Sequence, residues 1–259
     1  MATTTRKTKN AGALTKTTTV ASGEALIKTD TSGKLTAIEL EQLKVQILGS
    51  ANLEALYDGV FIMYNTDNGF PLLARPDEWP SMQSSGKVAL GVAVALPGRM
   101  LVVAPTESND LPLSSGASES GQTYVTDIAT AQADMDGKTK TAAIVAASSA
   151  EAITNTAAYA PGYCNLYSRV NANGTGLTAG KWWLPSVGEL MVICANLRKI
   201  NYCLGIITGG VQFSTYDWFI SSTEFDKTGV WKVYLRNATI DHTSRTNTGK
   251  ARPVSAFIR

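Results

Sequence analysis

A single histidine, His242, and three cysteines, Cys164, Cys194 and Cys203, are all the sequence offers of the two most versatile catalytic side chains. A Ser-His-Asp arrangement would rest wholly on His242, which lies in a polar stretch, and no G-x-S-x-G elbow accompanies it. The odd cysteine count and the Cys194-x8-Cys203 spacing fit no zinc pattern. Buried free thiols are expected, with one disulfide plus one free thiol as the alternative. Charge is also scarce: 17% of residues are charged, against a usual quarter. Thr, Ser, Asn and Gly fill the surface instead.

The net charge of +2 hides an uneven distribution. Arg6, Lys7, Lys9 and Lys16 put +4 in residues 1–20 with no acid, which leaves 2 − 4 = −2 for the rest. No broad basic face for nucleic acid follows. No run of 18 apolar residues is present, so membrane insertion is not expected. The polar, basic start is followed by no apolar h-region, so a secretory leader is not expected either. Carboxylate clusters suited to calcium, a P-loop and a dinucleotide fingerprint are all missing. No catalytic residue, no metal and no cofactor is therefore expected. What is present is a 44% hydrophobic fraction in 259 residues, enough for a packed domain of ordinary size.

The chain divides by texture. Residues 1–22 are a Thr/Lys/Ala segment, eight of the first twenty being Thr, with nothing to bury; it reads as a flexible tail, or one that a partner orders. Residues 23–54 read as a short strand, Glu24–Asp30, a Thr-Ser-Gly33 turn, and a helix over about 37–48. Thr36 and Glu39 form a capping box, and Leu40, Leu43 and Ile47 make a single apolar stripe that needs a partner: either the main domain or, as the preferred reading, two further copies about a threefold axis. Residues 55–259 read as one domain. A strand at Gly59–Tyr64 is followed by a Thr66–Gly69 turn, and a core hairpin spans Lys87–Leu96 and Arg99–Ala104. A surface loop covers 106–122, a turn opens at Asp136, and an Ala-rich helix is expected over Thr141–Tyr159. A Gly/Asn loop covers 171–180, and a second helix opens with Ser186 and Glu189 as a capping box, carrying Leu190, Ile193, Leu197 and Ile200. Strands fill 211–259.

Four blocks in the last 80 residues carry a resemblance. Lys181-Trp-Trp-Leu-Pro-Ser-Val-Gly-Glu-Leu190 resembles the G-x-W-x-L-P-S-x-x-E-L block of C-type-lectin-like domains. Tyr216-Asp-Trp-Phe-Ile-Ser-Ser-Thr-Glu224 is similar to their W-S-S-T-E strand, and Val230-Trp-Lys-Val-Tyr234 to the strand after it. Ala251-Arg-Pro-Val-Ser-Ala-Phe257 is similar to the terminal R-P-V strand. The branch in question includes phage fibre and head-fibre proteins and retroelement-variable proteins. The resemblance covers about 55–259 and implies an α+β, C-type-lectin-like fold: small twisted antiparallel sheets with two helices, preceded here by an extended N-terminal arm and a short oligomerising helix.

The same resemblance divides the residues into scaffold and site. Trp182, Trp183, Pro185, Glu189, Trp218, Trp231, Arg252 and Pro253 read as scaffold, the indoles forming one aromatic cluster and Arg252 bridging Glu189 or a carbonyl group. Ligand-facing candidates are Tyr216, Asp217, Glu224, Asp226, Lys232, Tyr234, Arg236, Asn237, Asp241, His242, Arg245 and Asn247. The calcium and sugar motifs of animal lectins are absent, as is the paired-cysteine copper site of the formylglycine-generating branch, so neither activity carries over. The implied function is that of a non-enzymatic phage virion protein, a head fibre, decoration or tail-fibre type, exposed on the particle and made in the host cytoplasm. Its expected partners are itself, as a homotrimer, a capsid or tail protein through residues 1–50, and a host-surface glycan or protein. Alternatives are a bacterial surface ligand-binding protein diversified by a retroelement, and a divergent oxidase or hydrolase.

Overall fold

The protein is seen in a computed structural model that describes residues 25–29, 35–39 and 59–258, residue 118 excepted. The chain divides into two compact units, residues 1–50 and 51–259. In the first unit, β1 (Ala25–Thr29) pairs antiparallel with β2 (Leu35–Glu39), Thr29 standing opposite Leu35. The expected helix start at residue 37 is therefore not formed. Thr36 to Glu39 sit in a ladder whose amides serve the neighbouring strand, and Thr36 is not a helix cap. Leu40, Leu43 and Ile47, like the tail 1–22, lie outside the described residues.

The second unit mixes helices with antiparallel sheets, an α+β arrangement. A five-stranded sheet runs in the order β12-β6-β5-β3-β4. Its members are β3 (Val60–Asn65), β4 (Pro71–Ala74), β5 (Ala89–Leu96), β6 (Arg99–Val103) and β12 (Val254–Ile258). The β5–β6 hairpin turns at Pro97-Gly98, Leu96 standing opposite Arg99, as the sequence predicts. Gly91 is required where β5 meets β6: a Cβ there would stand 2.6 Å from the Val103 carbonyl oxygen. A three-stranded sheet, order β11-β10-β9, is built from β9 (Trp218–Glu224), β10 (Gly229–Tyr234) and β11 (Thr239–Ser244). A two-residue ladder joins β7 (Arg169–Val170) to β8 (Gly176–Leu177) inside the expected 171–180 loop.

Five helices occur among the described residues, against the two expected: α1 (Trp79–Ser84), α2 (Ile128–Ala133), α3 (Gly137–Ala146), α4 (Ala160–Leu166) and α5 (Val187–Ile206). The longest, α5, starts where its capping box predicts, with Glu189 Oε2 accepting the Ser186 backbone N–H at 3.0 Å. It packs against β3 and β5 of one sheet and β9 and β10 of the other. Leu190, Ile193, Ile200 and Leu204 from α5 join Ile62, Val92, Leu101, Phe219 and Val233 in the main core.

The Ala-rich segment departs from expectation. α3 begins earlier, at Gly137, capped by Asp136, and ends at Ala146. The Ser148 hydroxyl then accepts the Thr154 N–H at 3.0 Å, while the Thr154 hydroxyl donates to the Ile144 carbonyl at 2.7 Å. Side chains thus take over the bonds that a continued helix would have made. The 106–122 segment is a loop as expected, but not a surface one: Ser108, Leu113 and Ser114 are buried, and Leu111 exchanges backbone hydrogen bonds with Gly249.

Candidate functional site

The three-stranded sheet has two unlike faces because its side chains alternate. Phe219, Trp231, Val233 and Leu235 point into the core beneath α5. The other face presents Trp218, Lys232 and Tyr234, with Tyr234 between Trp218 on β9 and Thr239 on β11, and Lys232 opposite Asp241. At the Ile220 end this face is covered by Leu113, Ala160 and Leu184. The Trp218 end is open.

On the open part the side chains form a continuous strip. The Trp218 and Tyr234 rings lie 5.2 Å apart, and the Lys232 ammonium sits 4.1 Å from the Trp218 ring centre. Lys232 Nζ is also 3.8 Å from Asp241 Oδ2. The Arg236 guanidinium lies 5.2 Å from the ring of Tyr216, a tyrosine that is 71% exposed. Cations over aromatic faces hold both partners in place while leaving ring edges and N–H groups toward solvent. Asn237 shapes the β10–β11 turn, its Oδ1 accepting from Thr239 N–H at 3.2 Å and Thr239 hydroxyl at 2.7 Å. Ala238 takes φ 57° there. Asn247 donates to the Thr243 hydroxyl at 2.8 Å beyond the end of β11, and Thr243 stands opposite Val230 in the covered part of the sheet.

Of the twelve ligand-facing candidates, Tyr216, Lys232, Tyr234, Arg236 and Asp241 are brought together, Asp217 is half-buried beside them, Asn237 is exposed in the β10–β11 turn, and Asn247 is exposed beyond β11, tied to Thr243 away from the strip. Two candidates are corrected outright. Glu224 and Arg245 are each 1% exposed and form a buried ion pair. Glu224 also accepts from Ser120 and from Gln122, and Arg245 Nε donates to Ser114 Oγ at 3.2 Å. Both fasten the 106–127 loop and face no ligand. Asp226 is a turn former: its Oδ1 accepts from Thr228 N–H, Thr228 hydroxyl and Gly229 N–H at 2.6–2.7 Å. The Thr228 hydrogen bonds hold its carboxyl below the usual range. His242 lies on the opposite side of β11, stacked on Phe225 with ring centres 4.0 Å apart.

The scaffold assignments are corrected in two places, Trp218 and the indole cluster, and one of the two Arg252 alternatives is selected. Trp218 belongs to the open face, not the core. The indoles do not form one cluster: Trp183 and Trp231 share the main core, while Trp182 packs on Tyr167 and donates to the Leu177 carbonyl. Arg252 does not bridge Glu189. It takes the carbonyl alternative, together with Glu107 at 2.5 Å. The carbonyls of Pro185 and Pro253 each accept one inter-segment backbone bond, from Ser222 and Ala104.

Glu189 is fully buried, and burial pushes its carboxyl up to about 7 despite hydrogen bonds from Ser186 and Trp183 and the nearby Arg99. A folded-state value above the ordinary 4.5 means the stability contribution is complete below that range and is lost as pH rises through about 7. Urea unfolding of the wild type should therefore show stability falling over this window, by up to about 3 kcal/mol. Glu189→Gln should flatten the slope; an unchanged slope would refute the assignment.

The three cysteines are free, and burial raises each thiol, to about 11 for Cys194 and Cys203. Such thiols are poor nucleophiles at neutral pH. Among the described residues no group of three His, Cys, Asp or Glu is placed to hold a metal ion. No described helix is long and apolar enough to cross a membrane. No protein-family model matches the chain, and no curated protein matches it.

Proposed function

We propose that this chain is a virion fibre or decoration protein whose residues 55–259 form a C-type-lectin-like display domain, and that the open face of β9–β10–β11 binds a host-surface glycan or protein. The observation that carries this reading is the strip Trp218–Tyr234–Lys232–Asp241 with its neighbour pair Tyr216–Arg236. Aromatic faces supply contact area at low entropic cost, and the ammonium, guanidinium and carboxylate groups around them match hydroxyl groups and amides. The fold resemblance is supported by the Trp-Leu-Pro-Ser block opening α5 and the Arg-Pro-Val block opening β12. Residues 1–50 attach the protein to the particle and bring copies together, so that weak single contacts add as avidity. Light scattering of the full chain reads the assembly, and a monomer at micromolar concentration would sink the trimer.

Binding of labelled protein to host cells tests the face itself. Tyr216→Ala and Trp218→Ala should each weaken binding by about tenfold or more, a loss of about 1.4 kcal/mol. Lys227→Ala, at an exposed position in the β9–β10 turn, should leave it unchanged. Equal binding by all three variants would remove the face from consideration.

A further inference from the structure

Away from the open sheet face, a cavity of about 190 Å³ lies between β6 and the start of α3, lined by Arg99, Asp136, Lys138, Thr139, Trp183 and Glu189. Glu189 is the unusual member. Its Oε2 accepts from Ser186 N–H at 3.0 Å and from Trp183 Nε1–H at 3.1 Å. Its Oε1 is buried and has no hydrogen-bond partner. The nearest cation, Arg99 Nη2, is 3.7 Å from Oε1 and spends a hydrogen bond on the Met135 carbonyl at 3.1 Å. Buried polar atoms are nearly always satisfied, so an orphan oxygen beside a cavity marks a place for a further group.

Charge selects the kind of group. Arg99 and Lys138 face the cavity against one exposed carboxylate, Asp136; Asp134 behind it is paired with Lys140 at 3.6 Å. The other lining residues, Met135, Thr139, Trp183 and Ala256, are neutral. The first turn of α3 adds little, because Asp136 Oδ1 already accepts the Thr139 N–H there at 3.4 Å. With Glu189 protonated, the cavity is positive and Oε1 becomes an O–H donor.

We propose that this cavity binds a small carboxylate, taken up together with one proton that is held between the ligand and Glu189 Oε1. Arg99 supplies a second donor and Lys138 the charge at the mouth. The buried, half-neutralised state of Glu189 near neutral pH is consistent with such shared-proton binding.

Titration calorimetry of the full chain with acetate, in two buffers of different ionisation enthalpy, tests this directly. Acetate should bind, take up close to one proton above neutral pH, and weaken by up to about tenfold per pH unit there. Arg99→Gln should weaken binding by about tenfold or more. Glu189→Gln should still bind, since its amide donates where the protonated acid does, but without pH dependence. Glucuronate as a second probe separates a glycan-borne carboxylate from a free small acid: binding of both points to the former, of acetate alone to the latter. No heat with acetate up to tens of millimolar, binding of methylammonium in its place, or an acetate affinity independent of pH in the wild type would each overturn the proposal.

Discussion

Replacing Arg252 with leucine should cost the 51–259 unit about 3–5 kcal/mol and lower its melting temperature by about 10 °C. The guanidinium is fully buried and acts as a knot for segments far apart in sequence. It donates to the carbonyls of Ala104 and Pro105 at 3.1 Å after β6, and to that of Val211 at 2.9 Å after α5. It meets the Glu107 carboxylate at 2.5 Å and lies 4.1 Å from the Phe213 ring. Leucine fills part of the volume but leaves the Ala104 and Val211 carbonyls and a largely buried carboxylate without donors, Pro105 keeping only the Val211 N–H at 2.9 Å, and each orphan carries a desolvation penalty. Lysine should rescue little, because one ammonium cannot span the fork. Thermal melting and urea unfolding read the effect, and a loss below about 1 kcal/mol would contradict the knot.

The second large effect belongs to Glu224 and Arg245. Removing either alone strips one buried charge of its opposite and should cost about 3–5 kcal/mol. Removing both together, as Glu224→Leu with Arg245→Met, should cost clearly less than the two single losses summed, because no uncompensated charge remains. The single variants should also expose the 106–127 loop, since Ser114, Ser120 and Gln122 all hang from the pair. Limited proteolysis should then cut within that loop, with the wild type resistant under the same conditions. Strict additivity in the double-mutant cycle would mean that the two charges do not act as a pair.

What could be read from the sequence was local. The Ser186–Glu189 capping box and the Pro97-Gly98 turn announce their elements because the residues that make them are neighbours in the chain. α4 went unread because the Ala-rich stretch before it has no breaker, and the helix-ending bonds of Ser148 and Thr154 exist only after the chain folds back. Thr36–Glu39 met the helix-capping pattern, yet Ala25–Thr29 stands ready as a strand partner and β pairing won. The open face was partly legible: Trp231, Val233 and Leu235 alternate with Lys232, Tyr234 and Arg236, which is the period of a strand with one wet side. Nothing local distinguishes Glu224, which is buried, from Asp241, which is not. Burial of a charge depends on what lies across the fold, here a loop more than 100 residues earlier in the sequence, as in the pairing of Gln122 with Glu224, 102 positions apart. The place of Trp218 is hidden for the same reason: an indole on a strand looks alike on either side.

The position of β12 has a kinetic consequence. It closes the edge of β6 in the five-stranded sheet, and Arg252, just before it, reaches a carbonyl 148 positions earlier in the chain. During synthesis β6 therefore leaves the ribosome long before its partner does, and its outer edge waits with unpaired amides. Such distant closure makes folding slow compared with locally wired domains of the same size. It also leaves the nascent chain open to edge-to-edge pairing with other copies until residues 254–258 arrive. Yield on expression should then respond to translation speed and chaperone supply more than to the equilibrium stability of the finished domain.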